Sequence, residues 1–92
     1  MDISITYRHI ESNPKLEELI HQKANKLNKF FQGNFKIEWV CVKNGDIYES
    51  DVSVHGVHFS LFAKSSDDSL FKTLDQVITK LEKQISKVKE KK

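Results

Sequence analysis

Hydrophobic and polar residues alternate along four stretches of the chain, as they do in strands whose successive side chains point to opposite faces. In the first stretch, Ile3, Ile5 and Tyr7 alternate with serine and threonine. Further along, Asn44-Gly45 is a pair typical of a tight hairpin turn. The pattern predicts strands over residues 2–7, 35–43, 47–55 and 57–63.

Two other stretches repeat apolar residues every three or four positions, which is the period of an amphipathic helix. The first begins at Asn13-Pro14, where asparagine is a good N-cap and proline at the first helical position loses no hydrogen bond. Gly33 is expected to end this helix. The second is predicted to begin at the hydroxyls and carboxylates of residues 65–68 and to run nearly to the C-terminus.

The element order β-α-β-β-β-α predicts an α+β fold. Because each helix has one apolar stripe, a two-layer sandwich with both helices on one face of a four-stranded sheet buries both stripes. Cys41 shares a strand face with Trp39 and is expected to be a core residue. The opposite sheet face is expected to hold Lys36, Glu38, Glu49, Asp51 and His58 in water. The spacing of five aromatic residues predicts that they belong to the core: Phe30, Phe31, Phe59, Phe62 and Phe71.

Length and composition fit one soluble globular domain over residues 1–92, with 38% hydrophobic and 30% charged residues. No apolar run approaches the ~20 residues that cross a bilayer, and the N-terminus does not have the pattern of a signal peptide. The single cysteine excludes an internal disulfide and agrees with a reducing compartment. We therefore expect a cytoplasmic protein, with residues 89–92 forming a frayed basic end.

Charge is concentrated at the C-terminus, although the net charge is only +2. Residues 80–92 contain six lysines against Glu82 and Glu90. If the two helices pack side by side, their outward faces form one lysine-bearing surface suited to a polyanion. The alternative is that these lysines keep exposed helix faces soluble and match the helix dipoles.

The sequence offers little for catalysis or metal binding. His55 and His58 are three residues apart, a spacing that puts strand side chains on opposite faces, so we interpret them as ordinary surface histidines. Strand alternation is also expected to separate Glu49 from Asp51 as an acid–base pair. We expect no cofactor, no metal and no enzymatic activity, with a small hydrolase using His9 or His58 as the alternative.

The layers and element order resemble the double-stranded RNA-binding domain, an α-β-β-β-α unit. That family contacts phosphates with lysines at the start of its second helix. Here that position reads Ser65-Ser66-Asp67-Asp68, which would repel phosphate, so binding of an RNA duplex in that mode is disfavoured.

A second resemblance extends over essentially the whole chain. The residues that carry it are Ile3-Ser4-Ile5-Thr6-Tyr7-Arg8-His9, Leu16, Lys23, Lys26, Leu27, Ala63, Asp67-Asp68-Ser69-Leu70-Phe71, Leu74-Asp75 and Lys80-Leu81-Glu82-Lys83-Gln84-Ile85-Ser86-Lys87-Val88-Lys89. Together they are similar to the ribosome hibernation promoting factors and ribosome-associated inhibitors. The chain departs from that family at Tyr7, where glycine is usual, and at Phe71, where the aromatic residue is often tyrosine. Because the sequence ends at Lys92, without the C-terminal domain of long members, we expect the short form.

The resemblance implies a protein that binds the small ribosomal subunit and its rRNA in the channel for mRNA and tRNA, and so blocks translation in idle ribosomes. Short members commonly act with a separate ribosome modulation factor; no membrane or small-molecule substrate is implied. A generic RNA-binding or protein-interaction module is the alternative. The rRNA-binding residues carried over are Lys23, Lys26, Lys80, Lys83, Lys87 and Lys89, followed by Arg8, Lys29 and Lys91.

Overall fold

The computed structural model describes residues 2–31 and 33–90, and of residues 88–90 it describes the helical backbone. The strands are β1 (Asp2–Arg8), β2 (Lys36–Asn44), β3 (Ile47–His55) and β4 (Ser60–Asp67). The helices are α1 (Pro14–Asn25), a short 3₁₀ helix (Asn28–Phe30) and α2 (Leu70–Glu90). No helix in these ranges is both long and apolar enough to cross a membrane.

The sheet has the order β1-β2-β3-β4, with β1 parallel to β2 and the other neighbours antiparallel. Helix α1 connects two parallel strands and therefore runs against them, and α2 runs back along β4, which has the same direction as β2. The two helices are consequently parallel to each other and pack on one sheet face. The predicted two-layer β-α-β-β-β-α sandwich is confirmed.

The core lies between the helices and the inner sheet face. Alternate residues of β2 and β3 are buried there, Trp39 and Val52 among them, against Ile20 of α1 and Leu74 of α2. Cys41 is fully buried, as predicted, and burial raises the pKa of its thiol to about 11. This thiol therefore stays protonated at neutral pH and packs as a small apolar group.

The end of α1 differs from the prediction. Asn13 does cap the helix, its Oδ1 accepting from the Leu16 amide at 2.7 Å. The helix ends at Asn25 rather than at Gly33, because the Leu27 amide bonds to the Ala24 carbonyl three residues back and the chain tightens into the 3₁₀ helix.

The start of α2 also differs. Ser65 and Asp67 belong to β4, where Ser65 pairs with Ser50 of β3, so the predicted strand 57–63 and helix start at 65–68 are wrong. The Ser65 side chain is buried in this longer strand, and its partner across the sheet, Ser50, is also a small buried hydroxyl residue. Asp67 still serves the helix start, since its Oδ1 accepts from the Ser69 amide at 3.2 Å.

Three residues lie on other surfaces than predicted. Phe62 and Phe71 are 53% and 60% exposed, so they are not core residues. Phe62 alternates with the inward-facing Leu61 and Ala63, and Phe71 lies about 100° around the helix from Leu70, outside the buried stripe. His58 lies exposed in the turn before β4 and not on the sheet face. Phe30, Phe31 and Phe59 are half-buried and do pack against the core.

A chain of buried hydrogen bonds ties α2 to the sheet. Trp39 Nε1–H donates to Ser50 Oγ at 3.3 Å, and Ser50 Oγ lies 2.9 Å from Thr73 Oγ1. Thr73 Oγ1 donates in turn to the Leu70 carbonyl at 2.6 Å. Each member thus has a partner in a region without solvent, where an unpaired polar group is unfavourable.

We predict that Ser50→Ala lowers the free energy of unfolding by about 1–3 kcal/mol, because the buried Trp39 N–H loses its acceptor. Urea unfolding at neutral pH measures the change. Ser53→Ala, on the other face of the same strand, is the matched control and should change stability by less than about 0.5 kcal/mol. Equal effects of the two substitutions would contradict the role of the buried chain.

Candidate nucleic-acid interface

The parallel helices sort charge along one axis of the molecule. Glu17 and Glu18 lie in the first turns of α1, and Asp75 lies in the second turn of α2. Lysines outnumber acids in the later part of each helical region, whereas Lys15 and Lys72 lie beside the acids near the starts. Because both helices run in the same direction, their acidic starts meet at one end of the sandwich and their basic halves at the other.

Lys80 and Gln84 lie on the side of α2 that faces the free edge of β4. Lys80 Nζ donates to the Lys64 carbonyl at 2.6 Å, and Gln84 Nε2 donates to the Phe62 carbonyl at 2.7 Å. These carbonyls belong to an edge strand and have no neighbouring strand to bond to. Lys80 and Gln84 therefore cover an edge that would otherwise be open to pairing with another chain.

Lys83 and Lys87 lie three and seven residues after Lys80, so they share this side of the helix. Both are exposed. Neither ammonium makes an ion pair or hydrogen bond with any side chain that the structure describes, which are those of residues 2–31 and 33–87. Their charges are consequently available to an external anion.

Lys23 has a different environment. Its side chain is 22% exposed, and its Nζ lies 2.7 Å from Oδ1 of Asp75 on α2. The ion pair bridges the two helices on the side of α2 nearest α1. A phosphate would have to compete with this carboxylate for the ammonium.

The remaining lysines of the first helical region follow α1 rather than lying within it. Lys26 is the C-cap residue of α1 and is exposed, and within the described ranges its side chain has no acidic or hydrogen-bonding partner. Lys29 lies in the 3₁₀ helix with its Nζ 5.2 Å from the centroid of the Phe30 ring. Both ammonium groups are accessible to solvent.

Of the other three predicted residues, one lies away from the helix lysines and two have side chains that the structure does not describe. Arg8 ends β1 and is exposed on the outer sheet face, away from both helices. Lys89 is in the last turns of α2, but its side chain is outside the described part of the structure. Lys91 lies outside the described residues, as does Lys92 of the predicted frayed end. The helices do lie side by side, as expected. Lys23 of α1 contacts the side of α2 that carries Asp75, whereas Lys80 leaves α2 on the side that faces β4.

Two partners in this region were not foreseen from the sequence. In the sequence, Asp75 and Gln84 stand out only as members of the stretches that carry the family resemblance. Their positions five and fourteen residues into α2 mark which side of the helix each occupies. Their partners on α1 and β4 depend on tertiary packing, for which a single sequence gives no signal.

The outer sheet face carries a group of charged residues. Glu49 and Asp51 are two residues apart on β3 and share this face, so the expectation that alternation separates them is wrong. Burial raises the pKa of Asp51, and a hydrogen bond and the charge of Glu49 raise it further, while Lys64 and Arg8 oppose the shift. Lys64 Nζ lies 3.8 Å from Glu49 Oε2. Among the residues described, no three metal-ligating side chains cluster.

Comparison with known proteins identifies relatives over almost the full chain. A family model described as Sigma 54 modulation protein / S30EA ribosomal protein matches residues 3–92. The ribosome-associated factor Y of Haemophilus influenzae is 24% identical over 91 residues, which cover 99% of this chain and 85% of that protein. The ribosome hibernation promoting factor of Klebsiella oxytoca is also 24% identical over 91 residues, covering 99% and 96%.

Solved structures share the fold. The N-terminal domain of Protein Y from Thermus thermophilus superposes with a TM-score of 0.87 at 17% identity, covering 96% of this chain and 99% of that one. A ribosomal subunit interface protein from Coxiella burnetii gives a TM-score of 0.85 at 27% identity, covering 99% and 100%. The four-stranded sheet with two helices on one face is thus shared with both.

We predict that Asp51→Asn raises the free energy of unfolding at pH 7 by about 1 kcal/mol, because a partly buried anion with an unpaired Oδ1 is replaced by a neutral amide. The raised pKa means that ionised Asp51 opposes folding. The gain should therefore disappear as the pH falls toward the unfolded-state pKa near 3.8, because Asp51 of the folded wild-type protein is then already protonated and neutral.

Chemical unfolding at several pH values between 3 and 8 measures this difference. Asp2→Asn, exposed on the same sheet face, is the matched control and should leave stability unchanged. A gain that is constant over the whole pH range would show that ionisation of Asp51 is not its cause.

Proposed function

Because the chain belongs to the Sigma 54 modulation protein / S30EA ribosomal protein family, we propose that it is a cytoplasmic ribosome-associated hibernation factor. The observation that carries this proposal is the family match over residues 3–92, together with relatives named for ribosome association and hibernation. The Coxiella burnetii protein of the same fold, named for the ribosomal subunit interface, supports it.

More specifically, the protein binds the small subunit and its rRNA in the channel for mRNA and tRNA, and so blocks translation in idle ribosomes. The basic half of the two-helix layer favours a phosphate-lined surface. Lysine ammonium groups displace condensed counterions from such a surface, which makes binding favourable and dependent on salt. A separate ribosome modulation factor is the second partner in this proposal.

The lysines are not equivalent in this mechanism. Lys26, Lys83 and Lys87 carry exposed charges without partners among the described side chains of residues 2–31 and 33–87, so they bind phosphate without first losing one of those contacts. Lys23 and Lys80 are already engaged, with Asp75 and with the Lys64 carbonyl. These two contribute to the positive potential while holding the helices and the sheet edge in place.

Lys89, Arg8, Lys29 and Lys91 complete the proposed rRNA-binding set. Lys89 and Lys91 extend the charged end of α2 along the chain, and Lys29 extends that of α1. Arg8 would contact a different part of the surrounding RNA, because it lies on the outer sheet face. Contacts of this kind position a compact body by its shape and charge and do not read a base sequence.

We predict that the triple charge reversal Lys26→Glu, Lys83→Glu and Lys87→Glu abolishes association with small ribosomal subunits. Three exposed ammonium groups at the basic end become carboxylates that repel phosphate. Cosedimentation of purified protein with small subunits measures binding, and circular dichroism checks that the domain remains folded.

The matched control reverses three other exposed lysines, Lys36, Lys43 and Lys72, and so changes the net charge equally. This variant should still cosediment, because these residues lie outside the proposed interface. Loss of binding in both variants would indicate a response to net charge alone. Unchanged cosedimentation of the first variant would contradict the proposed interface.

Affinity for the subunit falls as salt rises, so the slope of log affinity against log salt concentration is negative. We also predict that Lys83→Gln makes this slope shallower by about 0.7–0.9, the contribution of one phosphate contact. Binding to small subunits at several potassium chloride concentrations measures the slope. Lys36→Gln removes one exposed charge from the outer sheet face and should leave it unchanged. An unaltered slope for Lys83→Gln would remove this residue from the contact set.

A further inference from the structure

A cleft of about 690 Å³ opens at the end of the molecule where the two helices begin. It lies between the first half of α1, the segment that precedes α1, the start of β3 and the first residues of α2. This volume suits one bulky side chain together with the peptide that carries it. The apolar side chains that line it are Ile10, Leu16, Leu19, Tyr48, Leu70 and Phe71.

Phe71 gives this cleft an open apolar wall. Its neighbour Leu70 turns into the core and is 8% exposed, whereas Phe71 is 60% exposed. Large aromatic side chains in water, grouped with other apolar residues, are typical of surfaces that bind a partner. The buried core does not use this ring.

The charged residues that line the cleft favour a basic partner. Glu11 and Glu18 are both exposed in its lining, and Lys15 is the one cation among the lining residues described. The parallel helices place the exposed Lys83 and Lys87 far from this end. Lys87 lies sixteen residues after Phe71, which is about 24 Å along the helix at 1.5 Å per residue.

We propose that this cleft binds a basic peptide segment of a protein partner. One bulky aliphatic or aromatic side chain of the segment packs against Phe71, and lysine or arginine residues beside it face Glu11 and Glu18. Nucleic acid fits this end poorly, because its phosphates would meet the two carboxylates. The site is separate from the lysines of the proposed ribosome interface, so both can be occupied together.

Selection from a displayed library of random heptapeptides tests the proposal without any ribosome in the assay. The wild-type protein is the target, and Phe71→Ser is used for counter-selection. We expect the enriched peptides to combine a large apolar residue with flanking lysine or arginine. Enrichment of acidic peptides, or none beyond the counter-selected background, would overturn the proposal.

Titration of the best enriched peptide then locates its site. Phe71→Ser should weaken binding by about tenfold or more, as removal of a central apolar anchor does. Glu11→Lys with Glu18→Lys should also weaken it and reduce its salt dependence. Val57→Ser removes an 82% exposed apolar side chain from the turn at the opposite end of β3, and Glu38→Lys reverses a charge on the outer sheet face. Both control variants should bind as the wild type does.

Three further outcomes are decisive. If Phe71→Ser does not fold, peptide-induced chemical shifts in the wild-type protein decide, and changes away from the cleft would overturn the proposal. Sedimentation equilibrium showing dimers that Phe71→Ser dissociates would assign the cleft to a second copy of this chain instead. Binding of a single-stranded oligouridine probe that Phe71→Ser abolishes would assign it to RNA.

Discussion

The packing of both helices on one sheet face is the constraint on which the other features of this protein depend. A parallel crossover from β1 to β2 fixes the direction of α1, and two antiparallel steps followed by a return along β4 give α2 the same direction. Acids lie near the start of each helical region and lysines outnumber acids in its later part, an arrangement that the helix dipole favours locally. Parallel packing turns these two local preferences into a charge gradient across the whole domain.

The same constraint separates lysines that are similar in sequence. On α2, Lys80 contacts an edge carbonyl of β4, whereas Lys83, less than one helical turn later, makes no such contact among the described residues. Lys23 of α1 is held by Asp75. A basic residue near a phosphate surface can therefore support the fold, the interface or both, and its contacts within the domain distinguish these roles better than its charge does.

Much of the fold could be predicted from the sequence, because its signals are local. The alternation through Ile37, Trp39 and Cys41 places each residue on the buried face, and Asn13 caps α1 as expected. The predicted helix boundaries were wrong where tertiary contacts override local preference. Ser65, for example, continues β4 because it pairs with Ser50 across the sheet. The candidate site was predicted as a set of lysines together with Arg8. Their partners could not be predicted, since contacts such as that between Lys23 and Asp75 exist only once the two helices are packed.

The two ends of the sandwich differ in surface chemistry because different residues of α2 are left exposed at each end. At the basic end, the apolar stripe of α2 is covered by the sheet through Ile85, and lysines fill the exposed side. At the acidic end, the first residues of both helices line a cleft, and Phe71 lies beside the buried stripe without being covered. Burying this ring would require rotating α2 about its axis, which would turn Thr73, about 200° around the helix from Phe71, out of the core and break the hydrogen bond between Ser50 and Thr73. The exposed aromatic surface is therefore a consequence of the same register that fixes the core, and it persists unless something outside the core covers it.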